Sequence, residues 1–176
     1  TALSGATACN QVQFVFQQII LGLSNTMVVL GSQYWGEKRT EPVKRLSVAA
    51  VFLSIAFSAL LFTFAAVMPE KVVGLFTDST AIIEEGVEYL RIIKYTYPVF
   101  ALTNIILAIL RSVESVKVGF YVSIVTLLFN ISLNYLLIFG KLGLPEMGVR
   151  GAALATLIAR VAELIFVIVY VAFFEK

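Results

Sequence analysis

The 176-residue sequence is 60% hydrophobic and only 14% charged, with a mean hydropathy of +0.95, whereas a soluble domain carries roughly 25% charged residues. That much apolar surface exceeds what one small core can hide, so lipid is its natural solvent. A net charge of +2 without a basic tail leaves no nucleic-acid footprint, and the absence of His beside the single Cys9 excludes a His/Cys zinc site, an internal disulfide and a Ser/His or Cys/His catalytic pair.

Five hydrophobic segments run at about 11–35, 46–68, 89–110, 116–139 and 152–174. Crossing the hydrocarbon takes about 20 residues at helical rise. In lipid every backbone amide needs a partner within its own segment, so all five are expected to be helices. The predicted fold is all-α, a polytopic transmembrane helix bundle. Thr1 is not an initiating Met, and no basic region leads into a short apolar stretch, so no signal peptide is expected and the chain reads as part of something longer.

The first segment carries Ser4, Gln11, Gln18, Asn25 and Ser32 at seven-residue intervals, which holds them on one slowly drifting helix face. Amides at membrane depth cost free energy unless they meet a partner or water. Two accounts stand: a face lining a hydrated cavity, or interhelical hydrogen bonding worth only about 0.6 kcal/mol per contact. The length and continuity of the stripe favour the cavity, with Gln18 and Asn25 as its candidate wall residues. A charged turn from Gly36 to Arg45 leads to the second segment. The following connection, residues 69–86, holds one Lys and four acids, with an amphipathic stretch at 72–76 suited to the interface.

In the third segment Tyr95, Tyr97 and Pro98 stand together: the Pro is a candidate bend, and the tyrosines are cavity lining or interface anchors. In the fourth, Asn130 and Asn134 lie at i and i+4 with Thr126 one turn earlier, placing oxygen ligands for a small hard cation on one face. Spacing alone leaves interhelical hydrogen bonding the stronger account of that pair. In the fifth, Gly148/Ala152 and Gly151/Ala155/Ala159 permit close backbone approach, Thr156 adds a hydroxyl, and Arg160 and Glu163 at i, i+3 are spaced to neutralise each other.

Basic residues favour the cytoplasmic side. Lys38, Arg39, Lys44, Arg45, Arg111 and Lys117 fall in the first and third connections, against Lys71, Lys141 and Arg150 in the second and fourth. The first and third connections are therefore expected in the cytoplasm, with Lys176 on the same side.

Several runs resemble the multidrug and toxic compound extrusion (MATE) family. Gly22-Leu23-Ser24, followed by Ser32-Gln33-Tyr34-Trp35-Gly36-Glu37-Lys38, resembles its second helix and the loop after it. Leu75-Phe76-Thr77-Asp78 resembles the segment after its third helix. Leu133-Asn134-Tyr135-Leu136-Leu137-Ile138-Phe139-Gly140, then Leu144-Pro145, then Gly148-Val149-Arg150-Gly151-Ala152-Ala153-Leu154-Ala155-Thr156 form the most specific match. The resemblance runs through the whole chain in order. It implies five spans (helices two to six) of the six-helix N-terminal lobe in a twelve-helix, two-lobed transporter of the plasma (inner) membrane, whose first helix and second lobe lie outside this sequence.

What the resemblance implies about activity is export of organic, often cationic, compounds by alternating access, driven by inward Na⁺ or H⁺. It also assigns a cation site to Asn130, Asn134 and Thr156; the residues read above, Gln18, Asn25 and Tyr97, are the candidates for the substrate cavity. Where many relatives carry a carboxylate this chain has Asn134, and an amide takes up no proton at physiological pH, which points towards Na⁺ or a second-lobe site. No cofactor beyond Na⁺ and no enzymatic chemistry are implied. Two rival functions remain at this level. A lipid-linked oligosaccharide flippase of the same superfamily needs cationic cavity walls for a pyrophosphate, and the neutral stripe argues against it. A non-transport membrane assembly subunit would use the stripe for packing alone.

Overall fold

The computed structural model of the chain describes residues 2–140 and 147–174; the expectations attached to Lys141, Leu144, Pro145 and Lys176 lie outside them. The described residues form helices and no strands: α1 (Ala2–Gly36), α2 (Thr40–Val67), α3 (Pro69–Gly74), α4 (Thr80–Ile93), α5 (Thr96–Ser112), α6 (Val116–Phe139) and α7 (Gly148–Phe174). Four of these, α1, α2, α6 and α7, are long and apolar enough to cross a membrane; α4 and α5, bent by 50° at a short break, are so only as a pair, in the form of a broken span or a re-entrant loop. The architecture is an all-α transmembrane bundle.

The third hydrophobic segment is thus a broken helix rather than a straight one, and Pro98 supplies the cause. Proline has no N–H to offer the carbonyl four residues back. The Lys94 carbonyl is met instead by the Tyr97 N–H at 3.1 Å, and the Ile92 carbonyl by the Tyr95 N–H at 3.3 Å. These three-residue turns tighten the backbone and swing α5 away from the α4 axis.

α5 is the hub of the bundle, packing against α1, α2, α6 and α7. Its Tyr97, Phe100 and Ala101 join Cys9, Val12, Phe16 and Ile20 of α1 and Leu90 and Ile93 of α4 in the largest core cluster. Lower down, Ile105 and Ala108 meet Met27, Val43 and Ala50. Leu107 and Leu110 meet Val118, Val122 and Val167. The outward faces are apolar as well, with Val48, Phe52, Phe120, Leu128 and Phe173 all exposed. Leaving each such side chain in water would forgo about 1.5–3 kcal/mol, a loss that a lipid surround removes.

Small residues set the closest helix approaches, as membrane packing favours. A Cβ added at Gly5 would come within 2.7 Å of the Gly86 backbone nitrogen, and the Cys9 thiol donates to the Gly86 carbonyl at 2.9 Å. A Cβ at Gly151 would stand 2.6 Å from the Leu137 carbonyl oxygen. This second contact draws α7 against α6, and Gly151, Ala155 and Ala159 are all buried along that helix. The small-residue face expected from the sequence is therefore a packing face, and it decides how close the two site helices lie.

Candidate functional site

A cleft of about 260 Å³ opens between α6 and α7, lined by Ser123, Thr126, Leu127 and Asn130 on one side and Thr156, Ala159, Arg160 and Glu163 on the other. The two sides follow helical spacing. Ser123, Thr126 and Asn130 stand at i, i+3 and i+7, and Thr156, Arg160 and Glu163 at i, i+4 and i+7, so each helix presents one polar face to the other.

Asn134 lies one turn beyond Asn130 and donates its amide to the Asn130 backbone oxygen and to its Oδ1, both at 2.9 Å. Asn130 Oδ1 keeps its second lone pair, because a carbonyl oxygen carries two. Thr156 donates its hydroxyl proton to the Ala152 carbonyl at 3.0 Å, which leaves its oxygen lone pairs uncommitted. Arg160 Nη1 donates to Glu163 Oε2 at 2.8 Å, and its guanidinium carbon lies 5.1 Å from the centre of the Phe100 ring on α5. The donor set is all oxygen, which suits a hard cation rather than a soft transition metal. Among the described residues no group of three or more His, Cys, Asp or Glu gathers to hold a metal ion.

The structure therefore brings Asn130 and Thr156 to one cleft and ties Asn134 to Asn130. It does not bring Gln18, Asn25 or Tyr97 there. Gln18 and Asn25 lie on the exposed face of α1 with Ser4, Gln11 and Ser32, opposite the buried Val12, Phe16, Ile20 and Met27. Tyr97 parts company with them: it is 1% exposed, its ring is 5.0 Å from that of Phe16, and its hydroxyl has no hydrogen-bond partner among the described residues. Its place is in the core between α1 and α5, because it precedes Pro98 at the bend that turns α5 inward.

Two members of the cleft, Arg160 and Glu163, read from the sequence as a self-neutralising pair. The ion pair is there, but it faces the same space as Asn130 and Thr156. The i, i+4, i+7 spacing from Thr156 was the signal that could have found them. A larger concavity of about 760 Å³ lies at the α1–α2 turn, bounded by Tyr34, Arg39, Glu41 and Arg45. Its charged groups pair locally, Arg39 with Glu37 and Arg45 with Glu41.

The MatE family model matches residues 1–136 of this chain. The chain belongs to the MatE family. The match takes in Asn130 and Asn134 and ends before Thr156. The probable multidrug resistance protein NorM of Thermotoga maritima is 33% identical over 160 residues, covering 90% of this chain and 34% of that protein. An uncharacterized transporter of Bacillus subtilis, YisQ, is 31% identical over 166 residues, covering 92% of this chain and 36% of its own. Among solved structures, the outward-facing conformation of a multidrug resistance MATE family transporter of the MOP superfamily superposes with a TM-score of 0.81. At 15% identity over 95% of this chain and 37% of that one, it shows the shared fold. The chain spans about a third of the length of the curated relatives it matches, at 34% of NorM and 36% of YisQ. This MatE chain is an integral membrane protein, with its apolar helices as the spans.

Proposed function

We propose that the complete protein is a cation-coupled antiporter that exports organic, often cationic, compounds by alternating access. The α6–α7 cleft is its coupling-ion site in this lobe, with Asn130, Asn134 and Thr156 as ligands. The observation that carries the site is the convergence of Asn130 and Thr156, 26 positions apart in the chain, on one polar cleft. Membership of the MatE family and the likeness to relatives named for multidrug resistance support the transport activity.

Na⁺ is the proposed ion at this cleft. Amide and hydroxyl oxygens coordinate a hard monovalent cation without a protonation step, neither Asn130 nor Asn134 takes up a proton at physiological pH, and the carboxylate in the cleft, Glu163, is already paired with Arg160. The exposed polar face of α1, with Gln18 and Asn25, is proposed to line the cavity shared with the rest of the transporter. Rocking of the two lobes about a midplane site then alternates its access. The proposed location is the plasma (inner) membrane with residues 36–45 and 111–117 cytoplasmic, on the charge asymmetry of the connections.

The test is efflux of a cationic dye from cells expressing the complete protein, with the Na⁺ and H⁺ gradients collapsed separately. Efflux that stops on loss of the Na⁺ gradient, and is weakened by Asn130→Ala, is the expected result. Absence of efflux from a protein shown to be folded and membrane-inserted would overturn the exporter reading.

A further inference from the structure

Among the described residues that line the cleft Glu163 is the one acid, and it is 7% exposed. A carboxylate this deep needs a counter-charge, and Arg160 provides it from one turn earlier on the same helix. The pairing is slight for a guanidinium and a carboxylate, which often join through two parallel bonds. Here a single bond, Nη1 to Oε2, holds them, and Oε1 accepts no hydrogen bond among the described residues. The guanidinium has a second partner at the same time, since it lies over the Phe100 ring, whose π-face attracts cations. The carboxylate shares the cleft with the neutral oxygens of Ser123, Thr126, Asn130 and Thr156, and Thr126 also lines an adjoining cleft with it.

We infer that Glu163 is the anionic ligand of the cation site in the α6–α7 cleft, and that Arg160 is a tethered competitor that occupies Glu163 when no ion is bound. The inference rests on the proposal that this cleft binds the coupling ion, and it adds both the charge and the release mechanism. With Arg160 engaged the cleft is electrically neutral and holds an ion weakly. An entering cation takes Glu163 together with the neutral oxygens within its reach, and the guanidinium keeps only its contact with Phe100. When the cleft opens to the other side, Arg160 reclaims the carboxylate and helps expel the ion. A site built this way needs no carboxylate at position 134.

The experiment measures binding of radioactive Na⁺ to the complete protein, purified in detergent. The variants are Asn130→Ala, Glu163→Gln, Arg160→Gln and the Arg160→Gln/Glu163→Gln double, each checked for a monodisperse elution profile. Removing the competitor should tighten Na⁺ binding by roughly tenfold, the scale of one charge–charge interaction in a partly hydrated site. Glu163→Gln should weaken binding by a similar factor, and the double variant should bind more weakly than Arg160→Gln. Tighter binding after loss of Arg160 is a readout that a purely structural ion pair would not produce. Arg160→Gln is purified in Na⁺, which on this inference supplies the counter-charge Glu163 loses. An Arg160→Gln protein that aggregates even in saturating Na⁺ overturns the inference. If Glu163→Gln aggregates because Arg160 is left uncompensated, the double variant, which buries no unpaired charge, carries the same test against Arg160→Gln. Equal Na⁺ affinity in those two proteins overturns the inference. If Asn130→Ala weakens Na⁺ binding while all Arg160 and Glu163 variants match the parent, the ion site stands and this inference falls. If no variant differs from the parent, both fall.

Discussion

Asn134 donates its side-chain amide to two oxygens of Asn130 at once, the backbone carbonyl and Oδ1, each at 2.9 Å. The bond fixes which way the Asn134 amide points and presents Asn130 to the cleft as an oxygen ligand. Asn134→Asp replaces that donor by a group that accepts when ionised, so Asn130 must turn its own amide nitrogen towards it. The variant should bind Na⁺ more tightly than the parent at neutral pH, because a full negative charge now stands beside the site. As pH falls through the pKa of the new carboxylate, that charge is lost and the advantage disappears. Na⁺ binding measured across a pH series checks this; an advantage independent of pH would show that the introduced carboxylate has no part in the site.

Gly151 sets the spacing between the two site helices. A Cβ there would meet the Leu137 carbonyl oxygen at 2.6 Å and its carbon at 2.8 Å, and backbone atoms have no rotamer to escape into. Gly151→Ala should force α6 and α7 apart, lower stability by about 1–3 kcal/mol, and weaken Na⁺ binding at the cleft. Gly22→Ala is the control: nothing lies within 4 Å of its added Cβ, so the better helix propensity of Ala should leave stability equal or raised by about 0.5–1 kcal/mol. Thermal unfolding of the two variants in detergent separates the effects.

Tyr97 buries a hydroxyl that has no partner among the described residues. Tyr97→Phe removes an unmet hydrogen-bonding demand and keeps the ring contact with Phe16, so stability should hold or rise by about 1 kcal/mol, with dye efflux unchanged. Tyr97→Ala removes the ring itself and should cost about 3–5 kcal/mol. A loss of efflux in a stable Tyr97→Phe protein would instead give the hydroxyl a role in the transport cavity.

Gln18 and Asn25 face away from the core on α1. If that face lines a hydrated cavity, Gln18→Leu and Asn25→Leu should leave stability within about 0.5 kcal/mol, as for surface changes generally, and should reduce dye efflux. Efflux and thermal stability falling together would mark the stripe as a packing surface between helices.

Membrane residence and helical class were legible because they follow from composition and segment length; of the five expected spans, four stand as single helices and the other corresponds to the bent α4–α5 pair. Backbone amides in lipid must be satisfied within the segment, and that requirement leaves no other regular structure for such long apolar runs. Pro98 likewise announced a bend, since a missing N–H is a local property, and the Gly151/Ala155/Ala159 face announced a close helix contact. Asn130 and Asn134 were legible as a pair because i and i+4 on a helix are neighbours in space whatever surrounds them.

Contacts between helices were a different matter. No periodicity within α6 or α7 states that the Asn130 face and the Thr156 face meet, or that Arg160 and Glu163 look into the same cleft rather than merely at each other. The fate of Tyr97 was equally hidden, since a tyrosine at a helix bend serves a cavity wall and a core about equally well. The sequence by itself determined what each helix is and which residues share its faces, because those are set by bonds and side chains a few positions apart. Only the tertiary structure decided which faces meet, because that depends on the 50° bend between α4 and α5 and on how closely Gly151 lets α7 approach α6.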